Sequence, residues 1–284
     1  MTTLAVVGSV NLDFVARASH LPAPGETVTG AVLARHPGGK GANQALAALR
    51  LGAAVQLHAR VGRDGMADEA LALLRAEGAD LSHCAAHASA PTGVALIAVS
   101  ADGENQIVVA PGANARFTSD ELVAIETDAL LCQLEIPLAT VEAAALAHRG
   151  FVSINLAPAA MAPDALLQRA DLLIVNEGEA AFYGAALHAG GGLVAVTYGA
   201  KGAALFRAGV EVARAAAPKI KPIDTTGAGD AFSAALTLAM VEGVVHDEAL
   251  AFACAVGALT ATRQGAQPSL PTRAEVDEFR ARSM

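Results

Sequence analysis

The chain reads as an α/β fold: a central, mainly parallel sheet flanked by helices in a Rossmann-type three-layer sandwich, with a small antiparallel β lid. Three observations predict it. Short β-rich runs alternate with longer helical patterns along most of the sequence, the signature of βαβ units. Residues 92 to 115 break that rhythm with two β runs and no helix between them, which requires an antiparallel pair. At 54% hydrophobic and 17% charged over 284 residues, the chain can bury a sizeable core, and disorder is excluded.

The elements follow in order. LAVVGS near residue 4 is the first strand, and GETVTGAVLARHPGG (25 to 39) is strand-like. GANQALAALRLG (41 to 52) is a helix ending at Gly52, VQLHARVG (55 to 62) a strand, and MADEALALLRAEG (66 to 78) a helix closed by Gly78. TGVALIAVSADGENQIVVAPGANA turns at Asp102-Gly103; a flap over a site and a plain hairpin on a sheet edge both fit it. DALLCQLEI, FVSINLAP, DLLIVNE and GLVAVTYG supply strands starting near 128, 151, 171 and 193. Two long helices run from Ala228 to Glu242 and from Asp247 to Arg263. No repeat, linker or run of like charge divides the chain, so residues 1–284 are predicted as one domain, its lid built from about 15–37 and 92–115.

Composition narrows the function classes. A net charge of −9, from 28 acidic against 19 basic residues, argues against nucleic-acid binding but leaves a small anion held by a few aimed groups open. Cys84, Cys132 and Cys254 form no CxxC pair, so a disulfide framework and a zinc knuckle are not indicated and a cytoplasmic setting is expected. The apolar start meets Asn11 and Asp13 too early for a signal peptide, and Ala249 to Thr262 is too short to span a membrane. His83, Cys84 and His87 lack a fourth ligand and read as a solvated loop, and no GxSxG or HExxH motif is present.

The densest chemical signal is IDTTGAGDAFSAAL, 223 to 236. Gly227 and Gly229 permit a tight turn into a helix whose free N–H groups and positive dipole end suit an anion. A carboxylate, Asp230, stands beside that place. It would serve as a base for a hydroxyl attacking a phosphoryl group held by the turn's amides; a simple helix cap, with the glycines merely turning the chain, is the alternative. HPGGKGANQA (36 to 45) is a second glycine-rich turn, with Lys40 and Asn43, and it lacks P-loop spacing. It suits a polar ligand such as a sugar, or a local turn closed by Asn43. Asn11 and Asp13, two residues apart just past the first strand, point the same way if the chain stays extended, as acceptors for vicinal hydroxyls or as Asx turns. Glu135, Glu177 and Glu179 also follow strands directly.

With these motifs the chain resembles the ribokinase-like (PfkB) carbohydrate kinases nearly end to end, through GSVNLD, PGETVTG, PGGKGANQA, TGVALI, GENQIVV, PGANA, QLEIP, NEGEA, TYGAKGA, DTTGAGDAF and ATRQGAQPS. The resemblance implies ATP-dependent phosphorylation of D-ribose at its 5-hydroxyl, with kinases for deoxyribose, fructose or a nucleoside, and a silent sugar binder on the same fold, as alternatives. It implies that Asp230 is the general base and that Gly227, Ala228 and Gly229 form the anion hole. By the same resemblance Asn11, Asp13, Gly39, Lys40, Asn43 and Glu135 face the sugar. Asn176 and Glu179 match the NxxE motif that organises Mg2+ and phosphates, and Thr197, Gly199, Lys201 and Gly202 line the nucleotide. Asp224, Thr226, Thr260, Arg263, Gly265 and Ser269 fall where an activating monovalent cation, K+, is bound, largely by main-chain carbonyls. Two departures stand out: only Ala181 to Val196 separate NEGEA from TYGAKG, and Cys254 stands near the adenine where histidine is common. Apolar lid positions such as Val94, Leu96, Ile107 and Val109 predict a homodimer through the lid.

Overall fold

In the computed structural model, which describes residues 1–283, the first strand is the pivot of the molecule. β1 (Thr3–Val7) sends Leu4 and Val6 into one buried cluster and Ala5 and Val7 into another, the alternation that gives a sheet two covered faces. After a bend at residues 8–10 the chain leaves this sheet and begins a second one with β2 (Asn11–Arg17) and β3 (Val32–Gly38). α1 (Lys40–Arg50) then returns to β4 (Ala54–Val61), which pairs with β1 in parallel.

The helix expected over 66–78 is split at Leu71 into α2 (Gly65–Ala70) and α3 (Ala72–Ala76), although Leu71 still donates to Ala67 O and accepts from Arg75 N. β5 (Cys84–Ala86) is the edge strand beside β4. β6 (Gly93–Val99) and β7 (Asn105–Ala110) form the predicted antiparallel pair, turning at Gly103, whose φ is +90°. The pair joins the second sheet, order β3-β2-β6-β7, and not the edge of the first; its β2–β6 contact runs parallel. The strands of this sheet therefore span 11–38 and 93–110, and residues 112–116, expected to continue the hairpin, form a 3-10 turn.

β8 (Ala129–Gln133), α4 (Leu138–Ala147), β9 (Phe151–Asn155), α5 (Asp164–Arg169), β10 (Leu172–Asn176), α6 (Glu177–Tyr183) and β11 (Leu193–Thr197) extend the main sheet on the other side of β1. A single 3-10 turn, Gly184–His188, occupies the short segment before β11. β12 (Ala203–Arg207) and β13 (Val210–Ala215) close the sheet as an antiparallel hairpin. α7 (Ala228–Val241), α8 (His246–Thr260) and α9 (Arg273–Ser283) complete the chain.

The main sheet runs β13-β12-β11-β10-β9-β8-β1-β4-β5 among the described residues. Strand order reverses at β1, with β4 on one side and β8 on the other. In open α/β sheets such a switch opens a crevice at the carboxyl ends of the strands, which is where ligands bind. α1, α7 and α8 cover one face with closely packed alanines; α4 and α5 cover the other.

Candidate active site

The centre of that crevice is Asp230, in the first turn of α7. Gly227 precedes the helix with φ +80°, a left-handed conformation that L side chains resist, and so aims the helix start into the crevice. Asp230 is buried, and both its oxygens accept side-chain bonds: Oδ2 from Asn43 Nδ2 at 2.8 Å and Oδ1 from Gln44 Nε2 at 3.1 Å. Of the three amides expected to form an anion hole, that of Ala228 donates to Thr225 O at 3.2 Å.

The glycine-rich turn at the start of α1 brings Asn43 and Gln44 there. Gly39 has φ +87°, and a Cβ on it would lie 2.7 Å from the Asn11 amide nitrogen, so the turn closes directly on β2. Asn43 spends its Nδ2 on Asp230 and leaves a buried Oδ1 without a partner, an acceptor awaiting a donor.

Asn11 and Asp13 lie at the start of β2 and both are buried; Asp13 stands opposite His36 in the register. Asn114, which sequence reasoning did not single out, holds Asn11: its Nδ2 donates to Asn11 Oδ1 (2.8 Å) and Val10 O (3.0 Å), while its Oδ1 accepts from Val10 N (2.9 Å). Ser9 is a second unpredicted residue. Its Oγ donates to Glu135 Oε2 at 2.5 Å, and the Lys40 backbone N–H meets the same oxygen at 3.0 Å. Burial, aided by the negative charges of Glu135 and Asp230, pushes the Asp13 carboxyl up to about 7. Lys40 answers this cluster: the charge of Asp230 above all, then Glu135 and Glu179, holds its ammonium above the ordinary lysine range against the effect of burial.

Asn176 and Glu179 form a capping box on α6. Glu179 Oε2 accepts from Asn176 N at 2.8 Å, and Asn176 Oδ1 accepts from Glu179 N at 2.9 Å. Burial holds the Glu179 carboxyl above its usual range. Thr197 is the register partner of Asn176, so the TYGAKG turn with Gly199, Lys201 and Gly202 begins beside the NxxE pair.

Of the six predicted cation residues, Asp224 ties two others, Thr226 and Gly265, together. Its Oδ1 accepts from Thr226 N (3.0 Å) and Oγ1 (2.6 Å), and its Oδ2 from Gly265 N (3.0 Å); against the upward push of burial these bonds keep the carboxyl below its usual range. Thr260 Oγ1 donates to Val256 O, Ser269 Oγ to Ala266 O, and the Arg263 guanidinium pairs with Glu275 at 2.7 Å. Their side chains are thus engaged elsewhere, and main-chain carbonyls are what the loops offer. A cleft of about 310 Å³ separates these loops from the second sheet and is lined by Asp13, Val15, His36, Ile97, Thr225 and Gly265. It lies at the small end of ligand pockets. Cys254 is buried in α8 within the core. His83 stacks on His58 with ring centres 4.5 Å apart, and His87 Nδ1 accepts from Ser89 and Ala90. Among the described residues no helix is long and apolar enough to cross a membrane.

This architecture has well-characterised relatives. Residues 1–273 match the family described as pfkB family carbohydrate kinase. Ribokinase of Haemophilus influenzae is 38% identical, with 98% of each chain covered. The crystal structure of ribokinase from Thermotoga maritima superposes with a TM-score of 0.91 at 34% identity, covering 99% of this chain and 100% of that one. Arabidopsis thaliana ribokinase complexed with ribose and ATP superposes with a TM-score of 0.83 at 32% identity, covering 98% of each.

Proposed function

The chain belongs to the pfkB family of carbohydrate kinases, and from that membership we propose that it transfers the γ-phosphoryl group of ATP to the 5-hydroxyl of D-ribose. The observation that carries this reading is the Asp230 carboxylate, buried at the start of α7 and fixed by amide donors on both oxygens. Burying a carboxylate is costly unless it has work or partners, and a helix cap needs no such enclosure.

In the reaction, Asn11, Asp13, Asn43 and Glu135 hold the sugar hydroxyls, and Lys40 and the Gly39 turn close over them. Asp230 takes the proton as the 5-oxygen bonds to the γ-phosphorus and the bond to ADP breaks. The amides of Gly227 and Gly229 meet the phosphoryl oxygens, joined by Ala228 once its long bond to Thr225 is exchanged. Asn176, Glu179, Thr197, Gly199, Lys201 and Gly202 take the nucleotide side. Glu179 has one oxygen beyond its capping bond, and among the described residues no cluster of three His, Cys, Asp or Glu stands ready for a metal, so the fit is to Mg2+ carried mainly by ATP phosphates. Asn176 and Glu179 would hold that ion, which offsets phosphate charge. The loops of Asp224, Thr226, Thr260, Arg263, Gly265 and Ser269, with their side chains engaged elsewhere, fit a K+ ion that needs main-chain oxygens, and would order the anion-hole turn when it binds.

The second sheet serves as a lid on one α/β domain, its inner face forming one wall of the cleft. Its outward side leaves Leu33, Leu96 and Val108 more than half exposed, which supports a homodimer through the lids. The three unpaired cysteines favour a cytoplasmic setting.

The test is ADP release over a panel of pentoses, hexoses and nucleosides, with and without K+. D-ribose is expected to give the highest kcat/KM, and K+ to raise it. A nucleoside or hexose outranking ribose overturns the substrate, and no turnover with any acceptor overturns the kinase.

A further inference from the structure

We propose that Gln44 is a positioning residue that locks the Asp230 carboxylate for proton abstraction, through a buried chain of side-chain amides anchored on a main-chain carbonyl. The inference rests on the reading of Asp230 as the base.

The chain has a direction. Ile174 O is a carbonyl and can only accept, so Asn155 must turn its Nδ2 toward it, and does so at 3.2 Å. Asn155 Oδ1 therefore faces the other way and accepts from Gln44 Nε2 at 3.1 Å. Gln44 Nε2 has two hydrogens, and the second reaches Asp230 Oδ1 at 3.1 Å. From the far side Gln133 Nε2 donates to Gln44 Oε1 at 2.6 Å. Rotating the Gln44 amide by half a turn would set its nitrogen against that donor and its oxygen against two acceptors. The amide is locked, and with it Oδ1 of Asp230 is committed. Each oxygen carries one amide donor, but Oδ1 faces into the buried chain while Oδ2, which accepts from Asn43, lies toward the sugar-facing turn and is the oxygen placed to take the proton.

Five elements contribute: α1, β8, β9 and α7 supply the side chains and β10 the anchoring carbonyl. Gln44 and Gln133 are wholly buried and Asn155 nearly so. Room for the chain is itself built in, since a Cβ on residue 8 would stand 1.9 Å from Gln133 Oε1, and Gly8 supplies none. Replacing every partner of such a network together by apolar side chains of the same shape can be nearly neutral for stability. Gln133 Oε1 alone in the chain is left without a partner, and a polar chain that ends on the base, with Asn155 allowing the Gln44 amide one orientation, is accounted for by what it does to the base.

The test compares Gln44→Met, which keeps length and volume but removes both donors, with Gln133→Met and Asp230→Asn, using ATP and D-ribose. Gln44→Met is expected to lower kcat about 10- to 100-fold with the KM for ribose within about threefold, because a misplaced reacting group lowers rate more than binding. Gln133→Met should lower kcat about three- to tenfold in the same way. Gln44→Glu, with a carboxylate facing Asp230, should move the acid limb of kcat to higher pH. Wild-type kcat in folded Gln44→Met overturns the proposal, as does an equal change of kcat and KM. If Gln44→Met does not fold, wild-type kcat in Gln133→Met overturns it alone. Should Asp230→Asn keep its turnover, the base reading itself falls; should it lose turnover while both Met variants stay normal, only the amide chain falls.

Discussion

Replacing Asp230 by Asn removes one proton acceptor and forces one hydrogen bond to reverse. A positioned general base contributes about 10²- to 10⁴-fold, so the barrier rises by about 3–5 kcal/mol. In the wild type both carboxylate oxygens face N–H donors, one from Asn43 and one from Gln44. Asparagine offers one oxygen and one NH2 group, which leaves a donor facing a donor at a cost of about 1–3 kcal/mol unless a partner turns. Gln44 is held by Asn155, whose Oδ1 can only accept from it, and cannot turn without losing that bond. Asn43 can, since its Oδ1 has no partner. The variant therefore folds with the Asn43 amide reversed, presenting Nδ2 to the sugar where Oδ1 stood. Loss of the Asp230 charge also removes one of the influences that hold the Asp13 carboxyl up near 7. ADP release should show kcat down at least 100-fold, while calorimetric titration should show ADP affinity unchanged and ribose affinity lowered several-fold. A kcat within tenfold of wild type refutes the base, and unchanged ribose affinity refutes the reversal of Asn43.

The Asp13 carboxyl, raised from 3.8 to about 7, binds more protons folded than unfolded, so stability falls as pH rises between those values by at most about 4 kcal/mol. Urea melts of the apo protein at pH 5 and pH 8 should show that fall, and Asp13→Asn should remove it. His58 acts oppositely: burial, with His83 beside it, lowers its imidazole to about 4, so its contribution rises with pH up to about 6.5, and His58→Gln should make the protein less sensitive to acid in thermal melts. Gly39→Ala should lose about 1–3 kcal/mol from backbone strain alone, seen in the urea midpoint, with a higher KM for ribose because the new Cβ pushes on Asn11. Asn114→Ala strands the Val10 N–H and Asn11 Oδ1 in a buried place, about 2–5 kcal/mol in chemical denaturation, and should raise the KM for ribose more than it lowers kcat.

Much of the fold was legible because its strands are short apolar runs separated by glycine, and both glycine-rich turns announced themselves. The β12–β13 hairpin did not. Its turn is Ala208-Gly209, with φ +49° and +78°, a conformation that usually advertises itself as Asn-Gly or Asp-Gly; alanine there carries no such signal. α4 was equally silent, because LATVEAAALA is apolar nearly all round and has no polar stripe to give a period. In the site, the charged residues were legible by type and their supports were not. Ser9, Gln44, Asn114 and Asn155 are common polar residues far apart in sequence from what they hold: Ser9 meets Glu135 and Asn114 meets Asn11 only in the fold, and Gln44 reaches both Gln133 and Asn155 because the register of β8 and β9 sets those two side by side next to α1. The Asn11–Asp13 pair was found by alternation, but the chain's departure into a second sheet at residues 8–10 depends on tertiary pairing with β6 that no local pattern encodes.

The concentration of acid around one crevice, Asp13, Glu135, Glu179 and Asp230, would repel the polyphosphate it has to receive if the four acted as free charges. The geometry arranges otherwise. Asp230 is answered by two amide donors, Glu135 by Ser9 and the Lys40 backbone, and Glu179 by the α6 cap. Lys40 stands within reach of three of the four. Only Asp13 is left without such compensation, and it is the one whose carboxyl is pushed up to about 7. Sugar hydroxyls supply the missing donors. Ribose should then bind most tightly where Asp13 is ionised, and its affinity should rise from pH 6 to pH 8 while that of ADP stays level. Ribose binding that weakens over that range would show that the neutral acid, donating to the sugar, is the bound form.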